Sequence, residues 1–218
     1  MAGFDTFSQE AVTFLQTLQA NNSREWFADH KPIYEQHLKE PTKLFAADMC
    51  AALEQVTGIV HQAKIYRMHR DLRFSKDKTP YNAHLHISFA SGDENGMWFF
   101  GLDPSSVALG FGVFEFPKPK LDTFRTKMAG PLGADLMQIT NEFHANGFRV
   151  SEPALKRVPT GYDVNHAHAE VLRRKGISIW RDIGDTDFAT QPYLVRRSIE
   201  EMQAFTPLRD FLVRLDNS

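Results

Sequence analysis

Between His61 and Asn82 six basic side chains, Lys64, Arg67, Arg70, Arg73, Lys76 and Lys78, stand against two acids, Asp71 and Asp77. The whole chain has a net charge of −2, so this local surplus of cations marks a place where an anion could be held. Arginine forks and turn amides bind phosphate or carboxylate oxygens through charge-assisted bonds stronger than neutral ones. A regular strand over residues 65–74 would put Arg67, His69, Asp71 and Arg73 on one face and Tyr66, Met68, Leu72 and Phe74 on the other. Arg70 then falls among the apolar residues, where a guanidinium needs a partner, and Glu25 and Asp29 are the expected ones. In the next strand Leu85, Ile87 and Phe89 face the core, and His84, His86 and Ser88 the opposite side.

The ligand-binding residues expected from this pattern are Arg67, Arg70, Arg73, Ser75, Lys76 and Lys78, joined by Lys156 and Arg157 from a later segment. Within this set Arg70 is assigned a structural part, and Arg67 and Arg73 the ligand-facing one. The function expected is binding of a phosphate-bearing or other anionic small molecule through a basic, polar sheet face. A second reading is an enzyme acting on such a ligand, with Asp71 or His69 as acid or base and the arginines stabilising negative charge. A third is a nucleic-acid or protein docking module, which is not favoured because the aromatic residues alternate away from the arginines. The bland alternative is a solvated ion-pair network of little energetic value.

Other patterns carry less. Ser75 to Lys78 satisfies Ser-x-x-Lys, but Thr79-Pro80 opposes the helix which that acyl chemistry needs. His84-x-His86 and His166-x-His168 could each aim two imidazoles to one side, yet neither shows a third ligand, so no metal site and no cofactor is expected. Phosphate-cradling glycine loops and the nucleophile elbow are missing from the sequence. Trp26, Phe27 and Tyr34, at helical spacings, read as core.

The elements that must position these residues follow from period and punctuation. Thr6 and Gln9 suggest a capping box opening a helix with Phe7, Ala11, Phe14, Leu15 and Leu18 on one side, and Ser23 can cap a second. Pro32 and Pro41 break the next stretch into short pieces before a helix from Pro41 to Thr57, which Gly58 ends and on which Phe45, Met49, Leu53 and Val56 form the apolar stripe. The period then changes to two near residues 63–74, 84–90, 96–102 and 106–116, an antiparallel meander joined by turn-rich connections. Gly110 and Gly112 leave one face of the last strand nearly bare, for which a covering helix is the preferred explanation over a ligand or another backbone. Helices with Leu121, Phe124 and Met128, then Leu132, Leu136, Ile139 and Phe143, come next; a short helix near 167–175, a strand at 177–180 and two C-terminal helices complete the pass.

The expected fold class is therefore α+β, an antiparallel meander of four or more strands flanked by N-terminal and C-terminal helices. One domain is expected over residues 1–218, helical over 1–58, a sheet over 62–116 and mainly helical over 118–218. With 42% hydrophobic residues and 18 Phe, the chain has material for a continuous core. One cysteine, Cys50, forbids an intrachain disulfide. The first residues lack a secretory pattern and no long apolar run occurs, so a cytoplasmic protein with no membrane partner is expected. Oligomeric state is not readable from the sequence.

The run Arg67-Met68-His69-Arg70-Asp71-Leu72-Arg73-Phe74-Ser75-Lys76-Asp77-Lys78-Thr79-Pro80-Tyr81 resembles the hallmark R-x-x-R-D-x-R-F-S-K-D-K-[ST]-P-Y of the family called domain of unknown function 2461. Asn22 to Phe27, Gly110-Phe111-Gly112 and Leu155 to Tyr162 match further patterns of that family, so the resemblance runs nearly end to end. It implies relatives mostly in bacteria, with fungal and some other eukaryotic members, and no activity to carry across. His84 and His86 lie just past the hallmark, and Asn165-His166 stands where the family more often has Asp-His.

Overall fold

The computed structural model describes residues 3–73, 75–92 and 96–217. Its α+β architecture is built on a six-stranded antiparallel sheet in the order β1-β2-β3-β4-β6-β5, with helices at both ends of the chain. The strands are β1 Gln62–Ile65, β2 Leu85–Ala90, β3 Met97–Leu102, β4 Val107–Val113, β5 Arg149–Val150 and β6 Ile177–Ile183. The first four keep sequence order, as the period-two stretches predict. The chain groups into two compact units, one of Met1–Gly92, Phe99–Leu109 and Asp182–Glu201, the other of Asp93–Trp98, Gly110–Arg181 and Met202–Ser218.

In the first unit α1 (Gln9–Ala20) buries Ala11, Val12, Phe14, Leu15 and Leu18. The predicted capping box is absent: the helix begins one residue after Ser8, which makes no side-chain cap bond, and Thr6 Oγ1 instead donates to the Ala189 carbonyl at 2.8 Å. Ser23 does cap α2 (Arg24–Asp29), its oxygen accepting from the Trp26 amide at 3.2 Å. Pro32 and Pro41 do not interrupt the next stretch. Helical backbone continues through α3 (Lys31–Ile33), a π-helical stretch Tyr34–Lys39 and α4 (Glu40–Thr57). Pro41 has no N–H to give the carbonyl four residues back, and the wider π turns just before it, with Glu40 N–H bonded to Glu35 O, carry the chain past that gap. Gly58, at φ 74°, ends α4 in the left-handed region as predicted. Phe45, Met49 and Leu53 are buried, whereas Val56, predicted beside them, lies exposed. Phe7, Phe45 and Phe100 cluster with centroids 4.6–6.3 Å apart, and each fully buried Phe contributes roughly 1.5–3 kcal/mol.

In the second unit α5 (Lys118–Met128) buries Leu121, Phe124 and Met128, and α6 (Pro131–Ala145) buries Gly133, Leu136, Thr140 and Phe143. The short α7 (Ala169–Leu172) and the last helix, α10 (Thr206–Asn217), pack against α6. Two short elements, β5 and α8 (Asp187–Thr190, in the first unit), have no counterpart in the sequence reading; α9 (Leu194–Met202) precedes α10 as predicted. The bare face of β4 is filled by β6, not by a helix. A Cβ on Gly110 would lie 2.6 Å from Trp180 Cε3, and one on Gly112 would lie 2.6 Å from Ser178 Cα.

Candidate functional site

The cationic segment is a clamped loop, not a strand. The β1–β2 ladder pairs Ile65 with Ile87, and the next antiparallel bridge pairs His69 with Tyr81. Residues 66–68 on one side therefore oppose residues 82–86 on the other, and the surplus on the second side breaks the regular alternation. Arg70 N–H donates to Pro80 O (2.9 Å) and Asn82 N–H to Met68 O (2.6 Å), which close the base of the hallmark loop. Met68 is buried as predicted, but Tyr66 is exposed and Leu72 half-buried, because the strand that would have turned them inward ends at Ile65. Phe74 lies outside the described residues. The basic sheet face inferred from alternation is thus replaced by a basic loop.

Inside the loop, Arg70 is the tie. Its guanidinium pairs with Asp77, donates to Thr79 Oγ1 and reaches Ser75 Oγ at 3.4 Å, leaving its side chain 23% exposed. The partner predicted from α2, Glu25 or Asp29, is replaced by a carboxylate seven residues away in the same loop. Asp77 also accepts from the Thr79 amide at 2.9 Å, and this bond, with Arg70, holds its carboxyl down at about 2. Arg73 forms a separate pair with Asp71, donating from Nη2 at 2.6 Å and from Nε at 3.0 Å, with its side chain 77% exposed. Those bonds keep the Asp71 carboxyl below the ordinary carboxylate range, and Arg67 acts in the same direction. A carboxyl that acts as a general acid near neutrality needs a pKa displaced upward, the opposite of the direction at Asp71. His69 is exposed, with its ring edge-on to Tyr81 at 4.9 Å.

Arg67, Lys76 and Lys78 are exposed and form no ion pair with a described carboxylate; Lys78 Nζ donates to the Leu72 carbonyl at 3.1 Å. Lys156 and Arg157 are exposed on the segment after β5 in the second unit. Of the residues singled out in α2 and its sequel, Phe27 is buried and stacks on Tyr81, while Trp26 and Tyr34 are half-buried and Trp26 stacks on His30 at 3.9 Å.

Two arrangements lie outside the sequence reading. His84 and His86 stack with centroids 3.8 Å apart, and Asp103, immediately after β3, brings Oδ1 to 3.9 Å from His84 Nδ1. One donor atom from each of the three lies within 4.8 Å of the others, so Asp103 is the third donor missing from the pattern of histidines. Only the pairing of β2 with β3 places it there, and no short-range motif could reveal it. In the second unit, a cavity of about 640 Å³ is lined by Arg149, Arg173, Arg174, Ser151 and Glu170 among others. Arg174 is buried, pairs with Glu170 and donates to the Ser151 carbonyl, and its Nε has no hydrogen-bond partner among the described residues.

No helix among the described residues is long and apolar enough to cross a membrane. No curated protein matches the chain. The family model described as conserved hypothetical protein (DUF2461) matches residues 10–211, from α1 through the clamped loop into α10, and the chain belongs to that family.

Proposed function

We propose that the protein binds an anionic, phosphate-bearing small molecule at the exposed cations of the loop between Tyr66 and Asn82. The observation that carries this reading is the loop's own charge arrangement. Its two acids are engaged, Asp77 by Arg70 and Asp71 by Arg73, so neither forms an ion pair with Arg67, Lys76 or Lys78, and among the described residues only Lys78 of these three has a side-chain bond, to the Leu72 carbonyl. The closed base and the Arg70 tie reduce the ordering that binding would require, which favours affinity. In the acid–base reading, a general-acid part for Asp71 loses support because its carboxyl is held low, which leaves His69 as that reading's other candidate.

A second location for the same ligand class is favoured by the cavity lined by Arg149, Arg173 and Arg174, whose volume falls within the range of small-molecule sites. Thermal unfolding with added inorganic phosphate, or with a nucleoside diphosphate, distinguishes the two. A ligand that binds the folded state raises Tm, and a charge-dominated site loses that rise at high salt. Arg67→Gln with Lys76→Gln abolishes the rise if the loop is the site, and Arg149→Gln with Arg173→Gln does so if the cavity is. A wild-type protein indifferent to both anions at low salt overturns the reading.

A further inference from the structure

We infer that His84, His86 and Asp103 form a binding site for a borderline divalent transition ion, of the Zn2+ or Co2+ kind, with at least one coordination position open. This site is separate from the anion reading and does not depend on it. Two imidazoles and one carboxylate suit such an ion, whereas Mg2+ and Ca2+ take oxygen ligands.

The backbone puts the donors in place. His84 and His86 are two residues apart at the start of β2, so both project to the same side, opposite buried Leu85 and Ile87. Gly101 and Asp103 bear the same relation at the end of β3, the neighbouring strand. A Cβ on Gly101 would lie 3.2 Å from His86 Cδ2, so the missing side chain leaves room for the imidazole over the strand. Asp103 is fixed by its amide, which donates to Ser106 O at 2.9 Å across the β3–β4 turn.

The donors are also available. Among the described residues no side-chain hydrogen bond engages any of the three, and the only ion-pair contact is the one between His84 and Asp103. Ligands on a tetrahedral ion sit about 3.3 Å apart, given bonds of about 2.0–2.1 Å. Contraction from 3.9 Å needs modest side-chain rotations of two half-exposed residues and a splaying of the stacked rings. No described residue orients the rings from outside, which predicts an exchangeable ion, not a permanently held structural one. His166 and His168 make no comparable trio among the described residues, and His168 Nδ1 is engaged by the Met128 carbonyl at 2.9 Å.

The test is isothermal titration of the full chain, free of affinity histidines, with Zn2+ and separately with Mg2+. One Zn2+ per chain and no Mg2+ heat are expected. His86→Ala and Asp103→Asn should each weaken Zn2+ on the order of 100-fold, given that outer-shell changes alone cost about 10–100-fold. His166→Ala should leave affinity unchanged. With Co2+, the wild type should give the visible bands of four- or five-coordination and displaced ring resonances of His84 and His86, a readout independent of whether any variant folds. Absence of Zn2+ binding, binding lost in His166→Ala but retained in His86→Ala, or Co2+ displacing other histidines instead, overturns the assignment.

Discussion

Asn22 stands in for a strand beside Tyr81. Its Nδ2 donates to the Tyr81 carbonyl at 2.9 Å, its Oδ1 accepts from the Tyr81 amide at 3.1 Å, and the Tyr81 ring stacks on Phe27 with centroids 4.1 Å apart. The two polar motifs at residues 22–27 and 67–81 are thereby joined through backbone and ring contacts. Removing the amide leaves a buried backbone donor and acceptor without partners, so Asn22→Ala should destabilise by about 1–3 kcal/mol in urea unfolding. Asn22→Asp keeps the acceptor, loses the donor and should fall between; equal stability of all three proteins would exclude this role.

The strands and the long helices were legible because their signals are local. Leu85, Ile87 and Phe89 alternate with His84, His86 and Ser88, and the sheet keeps the apolar three buried. The loop was misread for a definable reason: alternation presumes an unbroken ladder, while residues 66–68 here face 82–86. Arg70, placed in the core by alternation, is instead turned into its own loop. That the arginine would be paired followed from the cost of burying a guanidinium; which carboxylate it meets depends on how the loop folds back. Asp103 depends in the same way on β2 lying beside β3. Pairings between distant segments and the filling of the β4 glycine face by Trp180 are properties of topology, which no window of the sequence contains.

Arg70 and Arg67 should separate cleanly. Arg70 bonds Asp77, Thr79 and Ser75, whereas Arg67 makes no side-chain hydrogen bond to a described residue. Arg70→Met should lower the urea midpoint and raise amide exchange across residues 70–80, and Arg67→Met should leave both near wild type. A larger midpoint shift for Arg67→Met would reverse the division between the structural and the exposed arginine.

Acid should open the loop locally. The Asp77 carboxyl is held at about 2 against an ordinary value of 3.8, by the Thr79 amide and Arg70. Because the folded value is the lower one, the carboxylate's contribution is complete above about 3.8 and declines as pH falls toward 2. Exchange of the Thr79 amide should therefore accelerate over that interval in excess of the intrinsic pH effect. Asp77→Asn should show the faster exchange already at neutral pH and lose the transition. Unchanged Thr79 protection in Asp77→Asn would show that the loop is held by other contacts.

The sharpest stability test lies at Gly112. Its φ of 144° is one that L side chains rarely adopt, and a Cβ there would lie 2.6 Å from Ser178 Cα and overlap the Ile177 carbonyl oxygen. Backbone, unlike the end of a flexible side chain, cannot swing aside, so Gly112→Ala must part β4 from β6 or distort both. Overpacking alone costs about 1–3 kcal/mol, and the strained φ adds to it. At Gly110 the obstacle is the Trp180 ring, a side chain with rotamers, so Gly110→Ala should be the milder change. Gly184, with open space around its missing Cβ and no left-handed φ, is the control and should shift stability by less than about 0.5 kcal/mol as Ala. Urea unfolding of the three variants should rank Gly112→Ala below Gly110→Ala and both below Gly184→Ala; if Gly112→Ala is tolerated as well as Gly184→Ala, β6 does not press its backbone against β4 at this position.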